Sequence, residues 1–213
     1  MTDHRAPLDP VSAAIVGSGL VAILRAPTAG GFSAVADVLV SAGITALEVT
    51  LTSKGAIDAI AGLRRQLPAG TVIGAGTVLT PDDARAAVDA GAAFLVSPVL
   101  DTLAGQSVPC YPGAYTPTEV YRAHLAGAPL VKLFPAGGLR PGYLKDLRGP
   151  LPDVRILPTG GIGLDDITDW LRAGAAAVGL GGPLIGDAAT GGSLTALAAR
   201  AKRALDAVAF ARS

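Results

Sequence analysis

Cysteine is almost missing from this chain, and the few other scarcities are as informative. Cys110 stands alone among 213 residues, so an intramolecular disulfide and a cysteine-built zinc site are both excluded. Two histidines, His4 and His124, are too few for most histidine-rich metal sites. Aromatic residues make up 4% of the chain, so the core has to be built from Ala, Val, Leu and Ile. Formal charge balances at zero, and no basic run interleaves with aromatics, which argues against nucleic acid as a partner. Long hydrophobic runs are absent too: Gly or a charge breaks each one well short of a membrane span. The opening Met-Thr-Asp-His-Arg lacks the apolar centre of a signal peptide. The expectation is a cytoplasmic protein with no membrane partner.

What the chain does have is hydrophobic bulk (50% of residues) and rhythm. Short apolar runs predict strands at Leu20–Arg25, Ala46–Thr50, Val72–Ala75, Phe94–Ser97, Val108–Tyr111, Leu130–Phe134, Val154–Pro158 and Ala177–Leu180. Each is bounded by Gly, Pro or a polar residue and reads as buried on both faces. Amphipathic stretches alternate with them: Phe32–Ala42, Ala56–Leu67, a helix capped at Thr80 and running to Gly91, another capped at Thr116 and ending near Gly127, then Leu164–Ala173 and Leu194–Ala209. Thr80-Pro81-Asp82-Asp83 and Thr116-Pro117-Thr118-Glu119 share one start signal, an N-cap hydroxyl followed by proline and early acids. An extra helix, Pro10–Ser18, precedes the first strand. No linker divides the chain. The fold class is therefore α/β, a single (β/α)₈ TIM barrel domain over residues 1–213 with an extra N-terminal helix. An open doubly wound sheet is the alternative.

Both folds place ligands at the carboxyl ends of the strands, so those ends are where chemistry is sought. Lys132 is the sharpest signal there. Only four lysines exist, and Lys54, Lys145 and Lys202 fall on helical stretches where a solvated face is the ordinary reading. Lys132 instead sits in Leu130-Val131-Lys132-Leu133-Phe134. Burial disfavours an ammonium over a neutral amine, and a neutral amine can attack a ketone and form a Schiff base. Glu48, between Leu47 and Val49, is a buried carboxylate that needs a partner. It is either a structural ion pair to Lys132 or a general base. Thr159-Gly160-Gly161 and Gly181-Gly182, after the seventh and eighth strands, suggest a backbone site for an anion. Arg25 brings a fixed positive charge to the same mouth, with a salt bridge to Glu48 as the structural alternative. Thr77, Pro98 and Phe134 complete the candidate substrate contacts, and Cys110 reads as an inert buried thiol.

Taken in order, these segments resemble the KDPG/KHG aldolases, class I pyruvate aldolases. The carriers are Val21-Ala22-Ile23-Leu24-Arg25, Leu47-Glu48-Val49-Thr50, Ile73-Gly74-Ala75-Gly76-Thr77-Val78, Val96-Ser97-Pro98, Thr116-Pro117-Thr118-Glu119, Val131-Lys132-Leu133-Phe134-Pro135 and Pro158-Thr159-Gly160-Gly161-Ile162. The resemblance implies that Lys132 is the Schiff-base lysine and Glu48 the proton-transferring glutamate. It also implies that Thr77 holds the pyruvate carboxylate and that Phe134 lines the pocket. Gly160, Gly161, Gly181 and Gly182 would cradle a phosphate, and Arg25 would be an active-site arginine. It further implies cleavage of 2-keto-3-deoxy-6-phosphogluconate, or a related 2-keto-3-deoxy acid, to pyruvate and an aldehyde. No cofactor and no metal are implied, and the assembly would be a homotrimer. Three departures stand out. Thr52 occupies a position where some members carry arginine. Gly182-Pro183 leaves out a serine usual in the phosphate cradle. Leu100 to Val108 is short for a fourth helix. A metal-dependent aldolase, a non-catalytic phosphate-binding barrel and an isomerase using Glu48 as base are the competing functions.

Overall fold

The computed structural model describes residues 7–100 and 105–213. His4, and residues 101–104 of the short segment after the fourth strand, lie outside the described residues. The chain begins with helix α1 (Pro10–Ser18). Asp9 caps it by accepting from the Ser12 N–H, Pro10 occupies its first turn, and Gly19 ends it in the left-handed conformation. Strand and helix then alternate: β1 (Leu20–Leu24), α2 (Phe32–Ala42), β2 (Ala46–Thr50), α3 (Ala56–Gln66), β3 (Val72–Gly76), α4 (Pro81–Asp89) and β4 (Leu95–Val96).

The alternation lapses after β4. The described residues between β4 and β5 (Cys110–Tyr111) contain no helix, and β6 (Gly113–Ala114) follows β5 across Pro112 alone. The single strand expected over Val108–Tyr111 is thus two short ones, displaced toward the carboxyl side. Regular alternation resumes with α5 (Pro117–Leu125), β7 (Val131–Leu133), α6 (Pro141–Arg148), β8 (Ile156–Pro158), α7 (Ile167–Arg172), β9 (Val178–Leu180), the one-turn α8 (Gly182–Ile185) and the long α9 (Leu194–Arg212). Helix α6 puts Lys145 on a helix, as expected, but no bounds for it were among the sequence expectations. Its signals, Pro141 in the first turn and Leu144 with Leu147 three apart, are confined to eight residues, and Arg140 makes no side-chain cap. The expectation that all lysines but Lys132 lie on helices also needs correction: Lys54 falls in the turn between β2 and α3, where it bridges to Thr28.

Every strand pair is parallel. The sheet curls in two parts, with orders β5-β4-β3-β2-β1-β9 and β6-β7-β8. An isolated bridge between Thr159 and Gly179 brings β8 to β9, and the Ala176 N–H donates to Ile156 O at 2.9 Å alongside it.

Side chains alternate across this sheet, as a period of two requires. One set, including Leu20, Ala22, Leu24, Leu47, Val49, Ile73, Leu95, Val131, Leu133, Ile156 and Val178, packs in the main core with buried residues of the surrounding helices. The other set forms a second apolar cluster of Val21, Ala46, Phe94, Val96, Tyr111, Leu130, Leu157 and Ala177, joined by Ile15 of α1. Helix α1 therefore covers the amino ends of the strands. Ile15 is fully buried there, a burial that stabilises by about 1.5–3 kcal/mol. Ser12 Oγ and Tyr111 Oη hydrogen bond at 2.9 Å inside the same cluster. Burial holds the Tyr111 phenol above its ordinary pKa.

Helices α4 and α5 open at the N-caps expected at Thr80 and Thr116, and the structure closes each into a capping box with Asp83 and Glu119. The backbone N–H groups of Thr116 and Tyr115 hold the Glu119 carboxyl below its usual range. From the C-terminus, Arg212 donates to the carbonyls of Val16 and Gly17, tying α9 to α1. Among the described residues no helix is long and apolar enough to cross a membrane.

Candidate active site

The alternation that puts Val21, Ala46 and Leu130 in the inner cluster carries Ile23, Glu48 and Lys132 two residues further along the same strands. There the interior opens into a cavity of about 200 Å³. Lys132 and Glu48 both line it, 3% and 1% exposed. Lys132 Nζ stands 3.8 Å from Glu48 Oε1. That distance makes an ion pair but is too long for a hydrogen bond. Among the described residues Glu48 Oε1 has no hydrogen-bond partner. A buried, unpartnered carboxylate oxygen costs about 1–3 kcal/mol or more, and such groups mark sites that a ligand completes. The lysine nitrogen also lies 5.1 Å from the centre of the Phe134 ring, an apolar wall that narrows the space in which it moves.

The structure brings together most of the expected residues. Arg25, Phe134, Thr159, Gly160, Gly161, Gly181 and Gly182 all line the cavity with the central pair. Arg25 is exposed at the mouth and donates from Nη2 to Thr77 Oγ1 at 3.1 Å. The salt bridge to Glu48 weighed for Arg25 is thus replaced by a contact to Thr77. Thr77 is set back from the cavity lining and is held in the left-handed region with φ of 58°. That conformation is strained for a β-branched residue. Thr159 is buried, and its hydroxyl donates to Leu157 O at 3.2 Å. Gly160 and Gly161 have φ of 85° and 78°, values that side chains rarely adopt, and Gly137 packs directly on Gly161. Pro98 is not part of the lining. It is half-buried, and its backbone closes on Gly113, where a β-carbon would stand 2.2 Å from Pro98 O. Thr52 is exposed and donates to Thr50 Oγ1 at 3.3 Å.

Sequence reasoning missed Ile23, Ile162, Gly179 and Pro183 in the lining. Ile23 was reachable, since it lies on β1 two residues before Arg25 and two after Val21 of the inner cluster. Arg200 had no signal. From α9 it donates Nε to Leu184 O at 2.7 Å and Nη2 to Ile185 O at 2.8 Å. It thereby holds the turn that carries Gly181 and Gly182 from one side. Cys110 does not line this cavity; it is half-buried where a buried thiol was expected, and desolvation pushes its thiol up to about 11, in keeping with an unreactive role.

A buried lysine and glutamate at the carboxyl ends of parallel strands, inside an anion-friendly mouth, now have a counterpart among known proteins. The family model for KDPG and KHG aldolase matches residues 11–194. The chain belongs to this family. It is therefore an aldolase, a carbon–carbon lyase of the class I, Schiff-base type. A 2-dehydro-3-deoxy-phosphogluconate aldolase of Pseudomonas aeruginosa is 42% identical over 144 residues, covering 64% of each chain. A 2-dehydro-3-deoxy-6-phosphogalactonate aldolase of Escherichia coli is 33% identical over 171 residues, 78% of this chain and 83% of that one. Among solved structures, the KDPG aldolase of Legionella pneumophila superposes with a TM-score of 0.82 at 29% identity, over 91% of this chain and 97% of that one. Its crystals hold pyruvate as a covalent carbinolamine captured at low pH.

Proposed function

We propose that this aldolase cleaves a 2-keto-3-deoxy acid of the 6-phosphogluconate or 6-phosphogalactonate type, with Lys132 as nucleophile and Glu48 as the proton-transfer group. The observation that carries the reading is the buried pair itself: an amine 3.8 Å from a carboxylate oxygen that no other group among the described residues satisfies, both opening on one cavity. The neutral amine of Lys132 adds to the C2 ketone, and loss of water leaves a protonated imine. Glu48 takes the proton from the C4 hydroxyl. The C3–C4 electron pair flows into the imine, C4 leaves as an aldehyde, and a pyruvate enamine remains. Protonation at C3 and hydrolysis release pyruvate and restore the amine. Because the iminium accepts the electron pair, this route needs no metal ion.

The remaining residues sort by the charge they can meet. Arg25, oriented by Thr77, suits a carboxylate or phosphate. The backbone of Gly160, Gly161, Gly181 and Gly182 can approach a phosphate without side chains in the way. The same reading includes a closed eight-stranded barrel as one domain. Its support is the shared interior of the two sheet parts, the chain continuity through Pro112, and the bridge from Thr159 to Gly179. It also includes a homotrimer, as the resemblance implies, and a cytoplasmic location, the expectation from the sequence.

Borohydride added with pyruvate tests the mechanism. Mass spectrometry is expected to find a reduced three-carbon adduct on Lys132 and on no other lysine. Cleavage that persists in Lys132→Ala, with no adduct in the parent enzyme, would sink it. Comparing phosphorylated with unphosphorylated 2-keto-3-deoxy acids, with pyruvate as readout, tests the substrate; light scattering tests the trimer.

A further inference from the structure

Glu48 faces Gly74 in the register between β2 and β3. Its side chain leans past that partner toward the mouth and lies over Gly76. A β-carbon at position 76 would stand 1.9 Å from Glu48 Oε1, 2.5 Å from Cδ and 2.6 Å from Cγ. No non-bonded contact survives at such distances. The oxygen concerned is the one that stands 3.8 Å from Lys132 Nζ. Gly76 is not among the residues of positive φ, and it pairs regularly with Thr50. Backbone freedom therefore does not ask for glycine here; space does. Gly74 makes room for something else, since a β-carbon there would strike the Phe94 ring at 2.4 Å.

We propose that Gly76 is a positioning residue: its missing side chain is the seat of the Glu48 carboxylate. With a methyl group at 76, the carboxylate would have to turn aside into the open cavity, away from Lys132 and the substrate's C4 hydroxyl. The lysine itself has no such conflict and would keep its place. The inference rests on the reading of Glu48 as the proton-transfer group.

A double-mutant cycle tests it, using Gly76→Ala, Glu48→Asp and the pair, with Glu48→Gln as reference. Two steps are read separately on the full-length enzyme. Borohydride trapping of pyruvate reports the imine, and exchange of the pyruvate methyl protons in deuterated water reports proton transfer. In Gly76→Ala, trapping at saturating pyruvate is expected to persist while exchange and cleavage kcat fall by about 100-fold, the scale of a displaced catalytic group. On the Glu48→Asp background, one methylene shorter, Gly76→Ala is expected to cost less than about 5-fold, a non-additive result. Equal losses on both backgrounds, or exchange in Gly76→Ala within a few-fold of wild type, overturn the inference. Should Gly76→Ala fail to fold, restoration of the fold by Glu48→Asp supports the seat, and failure of both variants overturns it. Wild-type exchange in Glu48→Gln would instead remove the underlying reading of Glu48.

Discussion

At the end of the strands covered by α1, the inward side chains are Val21, Ala46, Phe94, Tyr111, Leu130 and Ala177. The buried polar atoms there, Ser12 Oγ and Tyr111 Oη, satisfy one another. At the opposite end the same strands carry Glu48 and Lys132 inward, and an oxygen of the glutamate finds no hydrogen bond among the described residues. Both sets obey one period-two rule and differ by two residues of advance along each strand. Filling and polar satisfaction at one end stabilise; an unsatisfied pair beside a cavity at the other leaves work for a ligand. The division matches the separation of stability from catalysis between the two faces of barrel folds.

Substitutions can break this contrast. The largest effect is expected from Lys132→Met combined with Glu48→Gln. Cleavage should fall by more than about 10⁴-fold, as when a nucleophile is removed. Replacing a buried ion pair with neutral groups is often neutral to stabilising, by about 1–4 kcal/mol, so the denaturant midpoint should hold or rise. A strongly lowered midpoint would mean that the mouth end also carries stability. Next, Ile15→Ala at the covered end should cost about 2–5 kcal/mol in denaturant unfolding, with kcat per folded molecule unchanged. A fall in kcat would show that α1 reaches the active site. Ser12→Ala, which orphans the Tyr111 hydroxyl, should cost about 1–3 kcal/mol, and adding Tyr111→Phe should return most of it. Equal loss in the single and double variants would deny the bond its role. Smaller still, Arg200→Ala should raise KM for a phosphorylated substrate several-fold, on the scale of about 1 kcal/mol for a hydrogen bond, and leave pyruvate trapping on Lys132 intact. That outcome would divide the mouth itself into a reactive centre and an anion-binding rim.

The smallest effect belongs to neither end. The folded pKa of Glu119 is depressed by the backbone N–H groups of Thr116 and Tyr115, at and just before the N-cap of α5. A depressed carboxylate contributes stability above its unfolded pKa and loses it as pH falls through the folded value. The stability gap between wild type and Glu119→Ala, followed by urea melts, should therefore be constant near neutrality and shrink on acidification below the ordinary glutamate pKa. A gap that widens in acid would contradict the capping role.

Much of this was legible before any coordinates. Ala46–Thr50, Phe32–Ala42 and Pro10–Ser18 follow directly from local patterns, as do the N-caps at Thr80 and Thr116, because propensity, caps and periodicity agree within a few residues. Lys132 and Glu48 stood out because a charge inside an apolar strand is expensive wherever that strand is buried. The split at Pro112 and the retreat of Pro98 from the cavity were not legible, since both depend on neighbours far along the chain.

From sequence alone came the parallel alternation, the lysine and glutamate proposed as the reactive pair, and the family resemblance. Those are written in short stretches of sequence: the alternation in local patterns, the resemblance in a set of ordered motifs. Only the tertiary structure decided that Glu48 Oε1 goes unpartnered, that Thr77 turns to Arg25, that Arg200 holds the glycine turn from α9, and that Gly76 leaves room for a carboxylate. Each depends on the distance between atoms separated by many residues, and sequence order does not specify such distances until the strands have curled together.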